Sequence, residues 1–158
     1  MVARYALSAG CEVAVFAMKP PAAGPADTQL RRLEPFGARV SFGEPDGLAR
    51  ALEDRDAVVV DALFGTGVSF PLRDDAVRWI DRLDRAAGTV VSIDLPSGLD
   101  GDTGRAPSGC VQAALTLAIG ALKPGLLSPG GMRRAGRIEV VPLPYPPRLT
   151  AGLRRVGC

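Results

Sequence analysis

Histidine is absent from the sequence. Its absence removes the commonest general base at neutral pH and the commonest metal ligand. Any proton transfer must therefore fall to Asp, Glu, Tyr, Lys or Cys. Cysteine is scarce, with Cys11, Cys110 and Cys158 far apart, odd in number and without a CxxC pair. That usage fits reduced thiols in a reducing compartment. Lysine occurs only at Lys19 and Lys123 among the 19 basic residues. No basic block or aromatic–basic interleaving accompanies the net charge of +2, so a nucleic-acid surface is not indicated. No apolar run approaches the roughly 20 residues that span a bilayer. The opening MVARYALSAG carries Arg4 and lacks the long apolar core of a secretory signal, so the expected compartment is cytoplasmic.

What is present suits a globular core. The 158 residues are 47 % hydrophobic and 23 % charged. One domain is expected at this length, burying about 70 % of the surface of its unfolded chain. Short Val- and Ile-rich runs alternate with helical patterns. Strands are expected at Glu12–Ala17, Arg39–Phe42, Ala57–Asp61, Thr89–Asp94, Leu115–Ile119 and Arg137–Val141. Helical segments are expected at Val2–Ala9, closed by Gly10, at Asp27–Pro35 with Asp27 as N-cap, at Asp46–Glu53, and at Asp75–Ala87 with Gly88 as its stop. The alternation implies an α/β fold with a mainly parallel sheet and helices on both faces. The Pro- and Arg-rich tail after Val141 reads as a surface segment.

Chemistry concentrates at two strand ends. Asp61 and Asp94 each close an apolar run, and open parallel sheets bind ligands beyond the carboxyl ends of their strands. Either residue alone reads as a turn cap. As a pair, each followed by a glycine-bearing loop, they point to a site. Gly65-Thr66-Gly67 offers close backbone approach and free N–H groups for an anion such as a phosphate, although it is neither a Walker loop nor a full GxGxxG. The loop after Asp94 is dense in hard oxygen donors: Ser97, Asp100, Asp102 and Thr103. It is not an EF-hand, because the closing Glu is missing. Ser97 lacks the G-x-S-x-G frame of a hydrolase nucleophile and any His to activate it. Lys123, in Lys-Pro-Gly after the fifth strand, fits a loop lysine as well as a ligand contact.

Three stretches together, VVVDALFGTG (Val58–Gly67), IDLPSGLDGDTG (Ile93–Gly104) and GALKPGLLSPGG (Gly120–Gly131), resemble the NAD(P)H-hydrate epimerase family, the YjeF N-terminal domain. The resemblance covers residues 1–147 and leaves 148–158 as a tail. It implies a Rossmann-like fold and an isomerase that interconverts the R and S forms of hydrated NADH and NADPH. A dehydratase, fused or separate, then restores the cofactor. It implies Asp94 as the substrate-contacting acid–base residue. Gly65, Thr66, Gly67, Val68, Ser69, Phe70 and Pro71 would embrace the substrate's phosphate and ribose. Asp61 and Ser97 would hold a potassium ion, and the protein would be a homodimer acting on a small molecule, without nucleic acid or membrane. Two departures accompany it. The family's Asn-Asn-Gly-Gly-Asp-Gly loop and first strand are not in the chain, and Phe70 stands at an arginine-like position. These departures imply an N-terminally incomplete fold with exposed sheet edges, from a truncated product or a mis-called start. The alternatives are a non-catalytic nucleotide- or protein-binding module of the same fold, or an inactive fragment.

Overall fold

The structure is a computed structural model, and it describes residues 1–43, 46–146 and 148. Strands and helices alternate along most of the chain, as the apolar periodicity implies, with a long loop in place of a helix between the fourth and fifth strands. Helix α1 (Val2–Ser8) leads to β1 (Val15–Ala17), α2 (Pro25–Arg31), β2 (Val40–Phe42) and α3 (Asp46–Glu53). Then come β3 (Val58–Asp61), α4 (Asp74–Asp84), β4 (Thr89–Ile93), β5 (Leu115–Ile119), α5 (Pro129–Ala135) and β6 (Arg137–Val141). Every strand pairing is parallel: β1 with β2 in one ribbon, and β3-β4-β5-β6 in a second sheet. This is the α/β, Rossmann-like architecture that the sequence implies. No helix among the described residues is long and apolar enough to cross a membrane.

The register decides which side chains share a face. Val59 pairs with Val90, Asp61 with Ser92, and Ser92 with Thr116. These residues project to the inner face, where Val90, Asp61, Ser92, Thr116 and Ala118 are buried. A core of Leu48, Leu52, Trp79, Ile80, Leu83, Val90 and Val111 joins α3 and α4 to this face, and Phe16 of β1 packs against it. A second core of Leu95, Leu99, Cys110, Ala118, Leu126 and Ala135 joins the loop after β4 to α5. The opposite face is covered less well. Val58 is 66 % and Val60 41 % exposed, so β3 is not the fully buried strand that its Val-Val-Val run suggests. The physical reason is position: among the described residues β3 has a partner on one side only.

Several boundaries differ from expectation for identifiable reasons. The strand foreseen from Glu12 pairs only over Val15–Ala17, because β2 offers three partners. Helix α2 begins at Pro25 after Gly24, since proline's fixed φ and missing N–H suit the first helical position. Asp27 is thus not the cap; it lies in the first turn and pairs with Arg31 at 3.0 Å. Helix α4 stops at Asp84, not at Gly88. Gly88 instead lies where the chain passes so close to the carbonyls of Asp54 and Ala57 that no side chain fits. Helix α5, hidden in a Ser-Pro-Gly-Gly stretch, is capped by Ser128, whose Oγ accepts from Gly131 N at 2.9 Å.

Candidate active site

Asp94 follows the last residue of β4 and turns the chain sharply, with φ at 73°. It is the one non-glycine described residue in the left-handed region, which Asp tolerates better than most side chains. Such strain concentrates at functional positions. Its amide still donates to Leu117 O on β5 at 2.8 Å, so the turn is fixed to the sheet. The carboxylate is divided between two surroundings. Oδ1 accepts from Ile119 N at 3.2 Å and from the ammonium of Lys123. Oδ2 faces Gly65, where a Cβ would stand 3.1 Å away. Lys123 also donates to Ile119 O at 2.8 Å. The two charges are 16 % and 20 % exposed, so this pair is held away from bulk water.

The loop bearing Lys123 is positioned by glycines. Gly125 N donates to Gly101 O at 2.6 Å, tying the Lys-Pro-Gly turn to the loop after Asp94. Side chains at Gly104, Gly125 or Gly131 would collide with the backbone of this junction. The third motif is thus a packing device that brings Lys123 to Asp94. Sequence reading left Lys123 undecided, because the Asp94 partnership spans 29 residues and no local pattern records it.

Asp61 and Ser97, expected as potassium ligands, bond to each other in a closed arrangement. Asp61 is 0 % exposed. Its Oδ1 accepts from Ser97 Oγ at 2.5 Å and Leu63 N at 3.4 Å; its Oδ2 accepts from Ser92 Oγ and Ser97 N, both at 2.8 Å. Ser97 Oγ in turn accepts from Phe64 N at 3.1 Å. The set clasps the loop after β3 to the loop after β4. Ser92 completes it, a role visible only in the cross-strand register. Potassium demands several hard oxygens around one point. Here the carboxylate's acceptor positions are turned to four donors, so the pair as folded does not fit a cation.

Gly65, Thr66, Val68 and Phe70 line one small cleft with Asp100, Gly101 and Asp102, of about 80 Å³. Of the remaining residues foreseen for substrate, Gly67 and Ser69 are exposed beside it and Pro71 follows Phe70 through a cis peptide. The cleft is well short of the roughly 300–1,000 Å³ of enclosed ligand sites, so it has room for only part of a molecule of that size. Asp100 shapes its rim. The Thr103 and Asp102 amides bond to the Asp100 carboxyl, and the Thr103 bond does most to hold it below its usual 3.8. A larger cavity of about 440 Å³ lies among α1, β1 and β2, lined by Leu7, Val15 and Phe36, and Asp94 is not part of it.

A parallel α/β sheet with a strained carboxylate and a glycine loop at its strand ends places the chain in the Rossmann-like class, whose ligands bind at the carboxyl ends of the strands. The family described as YjeF-related protein N-terminus matches residues 1–125, and the chain belongs to that family. It is 34 % identical over 159 residues to the bifunctional NAD(P)H-hydrate repair enzyme Nnr of Moorella thermoacetica, covering 96 % of this chain and 29 % of that protein. Its likeness to the enzyme of the same name from Pyrobaculum aerophilum is 41 % over 90 residues, covering 57 % and 18 %. The chain thus spans less than a third of these relatives. The crystal structure of yeast ynu0, YNL200c, superposes with a TM-score of 0.71 at 23 % identity, covering 78 % of this chain and 53 % of that one. At that identity the likeness establishes the fold.

Proposed function

We propose that this domain epimerises hydrated NADH and NADPH, with Asp94 as the residue that moves the proton. The observation that carries the reading is the half-buried Asp94 carboxylate, held in left-handed backbone with one oxygen turned to the glycine loop. The name of the similar proteins, NAD(P)H-hydrate repair enzyme, supports the substrate class. The hydrated nicotinamide carbon bears a hydroxyl and the ring nitrogen. Asp94 takes the hydroxyl proton as the carbon–nitrogen bond opens to a carbonyl, with the electron pair left on nitrogen. Closure on the other face returns the pair to carbon and the proton to oxygen. Nothing is oxidised or consumed, and no histidine is needed. The cleft from Gly65 to Phe70 receives the adjoining part of the substrate. A dehydratase, fused or separate as the bifunctional relatives suggest, consumes the S form. Domain limits of residues 1–147 and a tail of 148–158, and a cytoplasmic setting, complete the proposal.

The test is an R/S mixture of NADPH hydrate with an S-specific dehydratase. Addition of the chain should bring complete, accelerated recovery of NADPH. Asp94→Asn, which keeps the shape and the left-handed turn, should lose the acceleration and keep the circular dichroism of the parent. Unchanged recovery in that variant rules out Asp94; binding of the hydrate without faster recovery by the parent indicates a binding module. Potassium at Asp61 and Ser97 requires opening the Ser97 Oγ–Asp61 bond. A melting temperature raised by potassium but not by sodium or choline supports such a site, and equal melting in all three removes it.

A further inference from the structure

We propose that Lys123 is the positioning residue of this site, and that it assigns separate tasks to the two oxygens of Asp94. This deepens the epimerase reading and rests on it. Lys123 Nζ and Ile119 N occupy Oδ1, whereas Oδ2 accepts no hydrogen bond among the described residues and faces the side-chain-free side of Gly65. An oxygen committed to a cation and an amide is a poor proton carrier. Oδ2 is therefore the oxygen that takes the hydroxyl proton and returns it. Lys123 is itself committed twice, to Oδ1 and to Ile119 O, and its loop is anchored through Gly125 to Gly101. Rotation of the carboxylate about its χ2 bond would exchange the oxygens, and the Lys123 clamp opposes that rotation. Gly65 belongs to the same device. Its φ is not in the left-handed region, so alanine is sterically allowed there by the backbone. Its methyl would instead stand at 3.1 Å from Oδ2, on the working side.

The full chain offers an uncluttered probe, because Lys19 and Lys123 are its only lysines and Lys19 is exposed. A nitrogen-15 spectrum of lysine ammonium groups at neutral pH should show one slowly exchanging signal, absent in Lys123→Met and displaced in Asp94→Asn. In the coupled assay, Lys123→Met should lower kcat about a hundredfold, the scale of a misplaced reacting group. KM should stay within about threefold, as for an interaction made mainly in the transition state. Lys123→Arg should restore part of kcat, and Gly65→Ala should lower kcat with the ammonium signal intact. Absence of a protected signal in the parent, or wild-type kcat in folded Lys123→Met, overturns the proposal. If Lys123→Met does not fold, the parent spectrum together with kcat of Lys123→Arg and Gly65→Ala decides it: wild-type kcat in Gly65→Ala counts against Oδ2. A parent chain with the protected signal and no epimerisation refutes the functional reading and the task assigned to Oδ2, and leaves the ion pair standing.

Discussion

For Cys110, burial outweighs the charges around it. The thiol is buried in the second core, and desolvation pushes it up to about 12 from its usual 9.0, against a smaller lowering by Arg134. The thiolate, not the thiol, is the nucleophile. Iodoacetamide at pH 8 should therefore label exposed Cys11 and spare Cys110 until the chain unfolds; equal native rates in peptide mapping would contradict this burial. The sign of the stability effect follows. Between pH 9 and 12 the unfolded chain has released this proton and the folded chain retains it, so folding stability falls as pH rises through that window. Cys110→Ala should flatten that alkaline slope in urea melts. The same low-dielectric setting argues against Cys110 as a nucleophile, since the lowering by Arg134 is the smaller effect.

The strand-end elements are joined by a polar clasp rather than by apolar packing. Asp61, Ser92 and Ser97 are buried, and no buried side-chain polar atom among the described residues lacks a partner. Ser97→Ala removes the bond to Asp61 and leaves Phe64 N without its acceptor. A loss of about 1–3 kcal/mol is the scale of an orphaned buried polar group. The denaturation midpoint should fall accordingly, while Val58→Ala on the exposed side of β3 should cost less; equal costs would show that the clasp is open in solution. The parallel strands β3 to β6 and the helix α4 were legible in the sequence, because short Val- and Ile-rich runs mark strands and 3.6-residue apolar spacing marks a helix, although β3 and β6 are more exposed than their Val runs suggest. So were Asp61 and Asp94 as strand-end carboxylates. Helix α5 was not, because Pro and Gly fill it and its stability comes from the Ser128 cap and from close glycine packing. Nor were the Lys123 and Ser92 contacts, which depend on register and on loops meeting across the sheet.

At the scale of the whole molecule the two faces of the main sheet are unequal. Val90, Ser92, Thr116 and Ala118 lie inside, whereas on the other side Val58 and Val60 are exposed and Val91, Leu115 and Leu117 are half-buried. The outer edge of β3 carries unpaired backbone groups next to this apolar strip, and β1 is likewise paired on one side among the described residues. An exposed apolar strand edge is a template for pairing with another chain. The net charge of +2 offers little long-range repulsion against it. The isolated 158-residue chain should accordingly self-associate as its concentration rises. Val58→Lys with Val60→Thr keeps β propensity at one position and places a charge at the edge, without touching the half-buried Val59 or the Asp61 clasp. Sedimentation of the double variant should show a smaller weight-average mass than the parent at equal concentration, with unchanged circular dichroism. Equal masses would mean that this edge and face are covered in solution by something other than a second copy. On the proposed function, recovery of NADPH in the coupled assay should be unchanged by the double substitution, because Asp94, Lys123 and the Gly65 loop lie at the strand ends, away from the exposed Val58 and Val60 side chains.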